Sequence, residues 1–325
     1  MTILSYENED KAQEVGDSQT LSINPVEQYP TYTNHNGYLM PKGFPIDGFE
    51  SGIRYQAQER DLIVTTYPKC GTTWTQNIVY LILNNGDPLK ADVKLESVFP
   101  HLEEVGSEAV ERLSYFGLSG SQYRLIKTHL PYNMTPQNPK TKYIYIVRNP
   151  KDCALSFYHH TRGFPKHYNF AEGRLELFLD LFLEGQVDFG NYFECVPGWY
   201  AHRNDDNMLF LTYESMKADH RAAVLRIAAF LGPEYESHLI ANDGYILEKV
   251  LHHSSFSSMN KDQLRWCSQR PDGHTNFVRK GVVGDWKGIF SPEYSKRFDE
   301  KIQKHFSCAE LEDIWGPEYK ELMFD

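Results

Sequence analysis

The chain alternates between short, largely apolar runs and longer stretches with the period of an amphipathic helix. Short apolar runs without a polar face are typical of strands that are buried on both sides of a parallel sheet. Four segments fit this description: Leu62–Thr66, Arg124–Lys127, Tyr143–Val147 and Met208–Thr212. Their alternation with helices predicts an α/β fold, a single domain with a central, mostly parallel sheet flanked by helices. In such a sheet, ligands bind beyond the carboxyl ends of the strands.

Helical patterns fill the segments between these strands. Apolar residues recur on one helical face within residues 74–82 and again within residues 175–182. Asn149 followed by Pro150 is typical of a helix N-cap and first turn. A further helix is predicted over Asp219–Leu231, because a glycine and a proline follow it directly.

The first 41 residues differ from the rest of the chain. They are rich in Asn, Gln, Glu and Thr and show no sustained hydrophobic period. We therefore predict a loosely ordered N-terminal arm over residues 1–41 and one domain over residues 42–325, with folded structure starting near Gly43.

Composition narrows the range of functions. The 325 residues include 33 Lys and Arg against 44 Asp and Glu, a net charge of -11, so there is no basic field to attract a nucleic-acid backbone. No run approaches the roughly 20 apolar residues of a membrane-spanning helix, and the amino-terminal residues lack the pattern of a secretory signal. The five cysteines are widely spaced, which favours neither a disulfide framework nor a zinc site. We expect a cytoplasmic protein with no metal, no nucleic-acid partner and no membrane partner.

The most informative segment is the loop after the first predicted strand, residues 67–74, which reads Tyr-Pro-Lys-Cys-Gly-Thr-Thr-Trp. Gly71 allows the backbone to approach an anion, and the unpaired amides that open the following helix lie at its positive end. Thr72 and Thr73 add hydroxyl groups, and Lys69 adds a full charge. This pattern predicts a cradle for a phosphate-like group; the alternative is a capped turn with one surface lysine. The spacing is not that of a Walker A loop, in which Lys directly follows the second Gly.

Two further strand ends carry candidate chemistry. Lys127 ends the second strand and His129 follows it. An imidazole, whose ordinary pKa is about 6.5, suits a base that takes a proton from an alcohol, phenol or amine. Lys127 either orients the acceptor or is a solvated lysine. Arg148 ends the third strand, and its planar guanidinium can bind a phosphate through paired hydrogen bonds. Alternatively, Arg148 pairs with Asp152.

A basic segment with two glycines lies near the carboxyl end of the chain. Arg279 and Lys280 stand beside Gly281, which combines cationic side chains with accessible amides. Taken alone, such a segment is more typical of solvated surface. Together with the loop at residues 67–74, it predicts two anion sites for a nucleotide that carries phosphates at both ends of its ribose.

These segments resemble, in order and spacing, the cytosolic sulfotransferase family. The family's 5′-phosphosulfate loop reads Tyr-Pro-Lys-Ser-Gly-Thr-Thr-Trp, so residues 67–74 match it except at Cys70, where a serine hydroxyl is missing. Residues 127–131 match the family's Lys-Thr-His-Leu-Pro signature, and residues 279–287 match its Arg-Lys-Gly-x-x-Gly-x-x-Lys signature. The resemblance covers the chain from about Pro41 to the end. It implies a P-loop-like phosphosulfate-binding loop and a co-substrate, 3′-phosphoadenosine 5′-phosphosulfate (PAPS), with 3′-phosphoadenosine 5′-phosphate (PAP) as its product.

The resemblance also implies roles for individual residues. It assigns Arg148 and Ser156 to the 3′-phosphate of the donor, and the rings of Trp74, Phe256 and Tyr213 to the adenine base. The full set of donor-binding residues that we expect is Lys69, Cys70, Gly71, Thr72, Thr73, Trp74, Arg148, Ser156, Tyr213, Ser254, Phe256, Phe277, Arg279, Lys280 and Gly281.

The predicted reaction is an in-line transfer of the sulfuryl group to a hydroxyl or amine of a small acceptor, such as a phenol, catecholamine, alcohol or steroid. We expect His129 to act as the base, Lys69 to stabilise the departing 5′-phosphate, and Lys127 and His129 to contact the acceptor. Two aromatic-rich segments, residues 115–117 and 157–170, are candidates for the acceptor pocket. Xenobiotic or amine metabolism is the expected context.

Two alternatives come from other functional classes. One is a pseudoenzyme that binds PAPS or PAP, in which Cys70 has ended the chemistry. The other is a P-loop kinase or ATPase, which the spacing of the loop disfavours. A homodimer also stays open, but the family's dimer motif is not matched, because this chain has Ser291-Pro292 and then Lys296 in that region.

Overall fold

The computed structural model describes residues 27–267 and 276–324. Its strands are β1 (Tyr32–His35), β2 (Tyr38–Pro41), β3 (Asp61–Thr66), β4 (Arg124–Thr128), β5 (Lys142–Val147) and β6 (Met208–Thr212). Its helices are α1 (Ile46–Ile53), α2 (Thr72–Leu83), α3 (Leu95–Val98), α4 (Leu102–Glu111), α5 (Pro150–Arg162), α6 (Pro165–Tyr168), α7 (Leu175–Leu183), α8 (Tyr192–Tyr200), α9 (Tyr213–Ala218), α10 (His220–Leu231), α11 (Pro233–His253), α12 (Phe256–Met259), α13 (Gln263–Trp266), α14 (Pro292–His305), α15 (Cys308–Trp315) and α16 (Tyr319–Met323). Within these two ranges, no helix is both long and apolar enough to cross a membrane.

Four parallel strands form the central sheet in the order β4-β3-β5-β6. Thr65 of β3 lies opposite Thr128 of β4 and Tyr145 of β5, and Val147 of β5 lies opposite Thr212 of β6. The carboxyl ends of all four strands therefore meet at one edge. From β3 the chain first adds β4 on one side of β3, and it then crosses over to add β5 on the other side. A crevice for ligands opens where the strand order reverses in this way, beside the end of β3. The predicted α/β class and its four strands are confirmed.

The sheet is buried on both faces, which explains the continuous apolar runs of its strands. Along β5, Tyr143, Tyr145 and Val147 contribute to a core that includes residues of α5, α7 and α8. The alternate residues Ile144 and Ile146 contribute to a second core with α2, α10 and α11. Both cores hold the strand ends, and thus the ligand crevice, in a fixed position.

The helices that leave the sheet edge begin where the sequence predicts. The side-chain oxygen of Asn149 accepts hydrogen bonds from the amides of Lys151 (2.8 Å) and Asp152 (3.4 Å) at the start of α5. Asp219 caps α10 by accepting a 2.8 Å hydrogen bond from the amide of Ala222. These caps set the direction in which each helix leaves the sheet.

An antiparallel hairpin precedes the start of folded structure expected near Gly43. Its strands β1 and β2 pair across Asn36 and Gly37, whose φ angles are 51° and 91°. Two residues with positive φ are typical of a tight hairpin turn, and Asn-Gly is its strongest sequence signal. Met40 is fully buried. The expected start near Gly43 is therefore wrong; the division into an arm and a domain stays a prediction, because residues 1–26 lie outside the described residues.

Candidate active site

A cavity of about 300 Å³ opens at the carboxyl edge of the sheet. Of the residues assigned individually to donor binding, catalysis or acceptor contact, all except Cys70 line this cavity. The predicted residues in the lining are Lys69, Gly71, Thr72, Thr73, Trp74, Lys127, His129, Arg148, Ser156, Tyr213, Ser254, Phe256, Phe277, Arg279, Lys280 and Gly281. Residues as far apart in the sequence as Lys69 and Gly281 thus meet in one cavity.

The loop between β3 and α2 has the backbone of an anion cradle. Lys69 and Gly71 have φ angles of 70° and 109°, both in the left-handed region. Gly71 is the N-cap of α2 and has no side chain to satisfy the first-turn amides, which are therefore available to an anion. The hydroxyls of Thr72 and Thr66 share a 2.6 Å hydrogen bond. A Cβ on Gly71 would lie only 3.0 Å from Cδ2 of Tyr213, so glycine is needed for this close approach.

The ammonium group of Lys69 lies among aromatic rings of the cavity. Its Nζ atom is 4.5 Å from the ring centre of Phe277 and 3.4 Å from Nδ1 of His160. Aromatic faces attract a cation electrostatically, and they hold it in the cavity. Lys69 is therefore suited to contact a negatively charged group above the loop.

Cys70 is the predicted donor-binding residue that the structure places elsewhere. Its side chain is fully buried in the core, with Sγ 3.7 Å from Sγ of Cys153, and its amide donates to the carbonyl of Tyr67 at 3.3 Å. Burial raises the pKa of the Cys70 thiol, so the thiol stays protonated. The left-handed residues on either side, Lys69 and Gly71, turn this side chain away from the cavity. The structure thus excludes a donor contact through the side chain of Cys70, and a contact through the backbone of this loop stays a prediction.

Arg148 leaves the end of β5 and is nearly buried. Its Nη2 donates to the carbonyl of Val282 at 3.1 Å and its Nη1 to the carbonyl of Lys69 at 3.4 Å. The ring centre of Tyr213 is 4.4 Å from its guanidinium carbon. Within the described residues, its Nε is buried and has no partner, which leaves one donor for a ligand. The alternative pairing with Asp152 is loose, at 3.8 Å.

Asp152 instead anchors the basic segment near the carboxyl end. Its carboxylate accepts a 2.7 Å hydrogen bond from the amide of Gly284 and a 3.1 Å hydrogen bond from the amide two residues further on. This anchoring holds Arg279 and Lys280 at the cavity, where they form ion pairs with Asp285 at 2.6 and 2.7 Å. The second predicted group of anion-binding residues is therefore fixed next to α5.

Aromatic residues form another part of the lining. Nε1 of Trp74 donates to the carbonyl of Ser254 at 2.9 Å, and the edge of Tyr213 packs against Trp74 at a centroid distance of 5.7 Å. The hydroxyl of Ser254 donates to the carbonyl of Val250 at 2.6 Å, so this side chain binds the backbone at the end of α11. Phe256 remains partly exposed in the cavity. Such faces suit a purine ring.

His129 lies directly beyond β4 and has a defined tautomer. Its Nδ1 is 2.8 Å from the carbonyl oxygen of Thr66. Because a carbonyl can only accept, Nδ1 carries the proton and Nε2 keeps its lone pair. The carboxylate of Glu103 accepts a 2.6 Å hydrogen bond from the backbone amide of His129, which fixes the backbone as well.

The surroundings of His129 keep its imidazole neutral. Burial lowers the pKa of His129 well below 6.5, and the nearby His101 and Lys127 lower it further. The ring of His101 lies edge-on, with a centroid distance of 4.8 Å. Burial also lowers the pKa of Lys127. At neutral pH His129 is therefore in the form that can accept a proton.

Known proteins share this fold and sequence pattern. A family model described as "Sulfotransferase domain" matches residues 59–310. The chain is 34% identical over 294 residues to Sulfotransferase 1B1 of Canis lupus familiaris, covering 84% of this chain and 94% of that relative. It is 33% identical over 271 residues to Amine sulfotransferase of Oryctolagus cuniculus, covering 80% and 85%. The crystal structure of mouse sulfotransferase SULT7A1 complexed with PAP matches with a TM-score of 0.69 and 30% identity, covering 89% of this chain and 98% of that chain. This chain belongs to the sulfotransferase family.

The resemblance to cytosolic sulfotransferases is thus confirmed, and the solved SULT7A1 structure is a complex with PAP, the nucleotide expected as product. The cavity of this sulfotransferase fits the two phosphates of such a nucleotide. Lys69 and the first-turn amides of α2 provide one group of donors, and Arg148, Arg279 and Lys280 provide the other. In the described part of the chain, no group of three or more His, Cys, Asp or Glu residues could hold a metal ion.

The structure also revises the expected acceptor pocket. Residues 157–170 contribute several lining side chains, but residues 115–117 do not line the cavity. Phe116 instead exchanges two 2.8 Å backbone hydrogen bonds with Tyr123, and the guanidinium of Arg60 lies 4.2 Å from the ring centre of Tyr115. The aromatic side chains of residues 115–117 therefore serve packing outside the cavity.

Several lining residues of the sulfotransferase were missed by sequence reasoning. Among them are His101, Asp188, Phe189 and Lys217. Lys217 lies with its Nζ 5.6 Å from the ring centre of Trp74. None of the four belongs to a motif quoted above, because each reaches the cavity through long-range packing of its element.

Replacing Gly281 with alanine is expected to weaken PAP binding by about tenfold. Gly281 has a φ angle of 64°, and an added Cβ would lie 2.6 Å from Cδ2 of Phe256, so the loop or the ring must shift. Gly288→Ala is the matched control, since its φ is 76° but nothing lies within 4 Å of its Cβ. Calorimetric titration with PAP measures both variants; equal affinities in the two would contradict the role of Phe256 in the site.

Proposed function

We propose that this sulfotransferase transfers the sulfuryl group of PAPS to the hydroxyl or amine of a small, largely aromatic acceptor, with His129 as the base. The observation that carries this proposal is the 2.8 Å hydrogen bond from Nδ1 of His129 to the carbonyl of Thr66. It leaves Nε2 as the nitrogen that accepts a proton. Burial keeps the ring neutral by lowering its pKa.

In the proposed step, the acceptor oxygen or nitrogen forms a bond to sulfur while the bond between sulfur and the 5′-phosphate oxygen breaks. The acceptor proton passes to Nε2 of His129 and later to solvent, and the electron pair of the broken bond stays on the 5′-phosphate. No side chain needs to form a covalent intermediate, because positioning and charge neutralisation supply most of the rate in such transfers.

Lys69 and the amides of the loop neutralise the charge that builds on the departing 5′-phosphate. Lys69 is held at the loop by its left-handed backbone, with Nζ beside Phe277. The first-turn amides of α2 add the positive end of the helix. Lys127, on the β4 side of the cavity, is the group that we expect to orient the acceptor.

The part of the lining near His129 favours an aromatic acceptor. Phe189 packs at a centroid distance of 5.0 Å from His129, and Phe44 lies 6.1 Å from Phe189. Phe157, Phe164 and Tyr168 also line the cavity. Aromatic walls of this kind bind planar apolar groups through offset or edge contacts.

The proposed function is tested by an acceptor screen. The protein is incubated with PAPS bearing a ³⁴S-labelled sulfonate and a panel of neutral phenols, amine-bearing phenols, aliphatic alcohols and steroids, and products are identified by mass spectrometry. We expect labelled sulfate esters of phenols, formed in equal amount to PAP. Binding of PAP without transfer to any member of the panel would favour a pseudoenzyme, and hydrolysis of ATP would overturn the assignment altogether.

The pH dependence of the reaction follows from the direction of the pKa shift of His129. Because its pKa lies well below 6.5, the neutral base persists as the pH falls, and activity is lost only as the pH falls through that lower value. For 4-propylphenol, which does not titrate below about pH 9, kcat/KM should stay level between about pH 8 and pH 6. A decrease with a midpoint near the ordinary histidine value of about 6.5 would contradict the buried neutral base.

We also propose that the protein acts in the cytoplasm, and that the hairpin of β1 and β2 packs against the sulfotransferase domain predicted over residues 42–325. The cysteines in the described ranges are free thiols, including the buried neighbours Cys70 and Cys153, which suits a reducing compartment. A homodimer stays open, but the family's dimer motif is not matched in the region of Lys296, and light scattering measures the oligomeric state. In the structure Lys296 is exposed and 3.8 Å from Glu300 of the same helix.

A further inference from the structure

A buried carboxyl group, Asp188, lines the cavity and is used by none of the steps above. The residue is fully buried. Its Oδ2 accepts a 2.7 Å hydrogen bond from the hydroxyl of Tyr168. Its Oδ1 is buried and, among the residues that the structure describes, accepts no hydrogen bond. An unsatisfied carboxylate oxygen is costly in a protein core, so its presence in a ligand cavity requires an explanation.

The backbone after Asp188 is held in a strained conformation that brings this segment to the cavity. Phe189 has a φ angle of 63°, which is rare for a residue with a bulky side chain. Two hydrogen bonds fix the segment: the amide of Phe189 donates to the carbonyl of Leu39 at 2.8 Å, and the hydroxyl of Tyr67 donates to the carbonyl of Gly190 at 2.9 Å. Strain of this kind concentrates at functional sites.

Asp188 is next in the sequence to a residue that lies where we expect the acceptor to bind. The ring of Phe189, the next residue, lies 5.0 Å from His129 and 5.6 Å from His101 by centroid distance. In the sequence, Asp188 therefore directly precedes Phe189, the aromatic residue that packs beside the proposed base. An acceptor whose hydroxyl faces His129 would pack its ring against Phe189 and bring a ring substituent near Asp188.

The charges of the lining are unevenly distributed. Cations concentrate where the donor phosphates are expected, as described for Arg148, Arg279 and Lys280. Acidic side chains line the cavity elsewhere: Glu96 and Glu104 lie near Lys127, whose pKa they raise against the larger effect of burial. Asp188 is a third acidic group in the lining, and the charge of Lys69 acts on it. Such a distribution favours a cationic group on the acceptor.

We propose that Asp188 binds a protonated amine on the acceptor through Oδ1, and so selects phenols that carry an amine over neutral phenols of the same size. This inference rests on the proposed function, because it assigns a second contact to the acceptor of that reaction. The amine would satisfy the unpaired oxygen and compensate the buried charge, while the aromatic ring of the acceptor packs on Phe189.

The acid–base state of Asp188 is consistent with this role. Burial raises the pKa of Asp188 to about 7, although the hydrogen bond from Tyr168 and the charge of Lys69 lower it. A bound ammonium group would favour the ionised carboxylate over the protonated one. A neutral phenol provides no such compensation, so it should gain nothing from Asp188.

A matched pair of acceptors tests the inference. Tyramine and 4-propylphenol are similar in size and differ chiefly in the terminal ammonium group. In the full-length protein with PAPS, we expect kcat/KM for tyramine to exceed that for 4-propylphenol by about tenfold or more. In Asp188→Asn, the ratio of the two values should fall by about tenfold or more. Asp206→Asn, a change at an exposed turn residue, is the matched control and should leave the ratio unchanged.

The outcomes separate the possible failures. If the wild-type protein sulfates neither phenol, the inference about Asp188 fails; if it sulfates no member of the acceptor panel either, the proposed function fails as well. If both are sulfated but the wild-type protein prefers 4-propylphenol, or Asp188→Asn lowers both values equally, the inference about Asp188 is overturned and its role is structural. A titration with PAP shows whether Asp188→Asn is folded. If it is not, the ratio of kcat/KM for tyramine to kcat/KM for 4-propylphenol in the wild-type protein decides whether the inference stands.

Discussion

Replacing His129 with alanine is expected to lower kcat by about 100-fold or more, while affinity for PAP changes by less than about threefold. The imidazole is the group placed to take the acceptor proton, since its Nδ1 is bound to the carbonyl of Thr66 and its Nε2 keeps a lone pair. The donor phosphates are expected at Lys69 and Arg148, so their binding should survive the change. Steady-state kinetics with 4-propylphenol and calorimetry with PAP measure the two effects.

The control for this variant is His238→Ala, because His238 does not belong to the cavity lining and bonds Asn85 at the surface. It should retain wild-type kcat. Added imidazole should partly restore the rate of His129→Ala, as expected when a missing base is replaced from solution. A kcat near that of the wild-type protein in His129→Ala would remove this residue from the role of base.

Replacing Arg148 with methionine should lower PAP affinity by about 100-fold, because it removes a nearly buried charge that is expected to contact the 3′-phosphate. The guanidinium is held by the carbonyls of Val282 and Lys69 and still has Nε available. Adenosine 5′-phosphate lacks the 3′-phosphate, so its affinity should change by only a few-fold. Calorimetric titration of both nucleotides with both proteins measures the difference.

Comparison of the two nucleotides also serves as the folding control for Arg148→Met. A variant with a disturbed loop would lose both affinities, whereas loss of one contact affects PAP alone. Arg226→Met, at an exposed position on α10, is the matched surface change and should alter neither affinity. Equal losses for PAP and adenosine 5′-phosphate in Arg148→Met would contradict the assignment of Arg148 to the 3′-phosphate.

The fold could be predicted from the sequence where local signals decide the structure. The strand Tyr143–Val147 was recognisable because burial on both faces makes every position apolar. The start of α5 was recognisable because the N-cap residue Asn149 accepts its hydrogen bond from an amide only two residues ahead in the sequence. The hairpin was missed although Asn36-Gly37 gave a signal, since the surrounding residues lacked a sustained alternation.

The site could be predicted only where residues belong to contiguous motifs. The loop with Lys69 and Gly71 and the segment with Arg279 each carry their chemistry in a few neighbouring positions. The direction of the Cys70 side chain, in contrast, depends on left-handed backbone at its two neighbours. Asp188 reaches the cavity because its neighbour Phe189 bonds a strand far away in the sequence. Such placements depend on tertiary packing, which a motif does not encode.

The central claim is that one nucleotide bridges the loop after β3 and the residues at the end of β5, with its 5′ end towards His129. A crystal structure of the complex with PAP tests it most directly. We expect the 5′-phosphate to contact Lys69 and the first-turn amides of α2, and the 3′-phosphate to contact Arg148 and Ser156. Density for PAP outside this cavity, or with its 3′-phosphate on the loop beside Lys69, would contradict the claim.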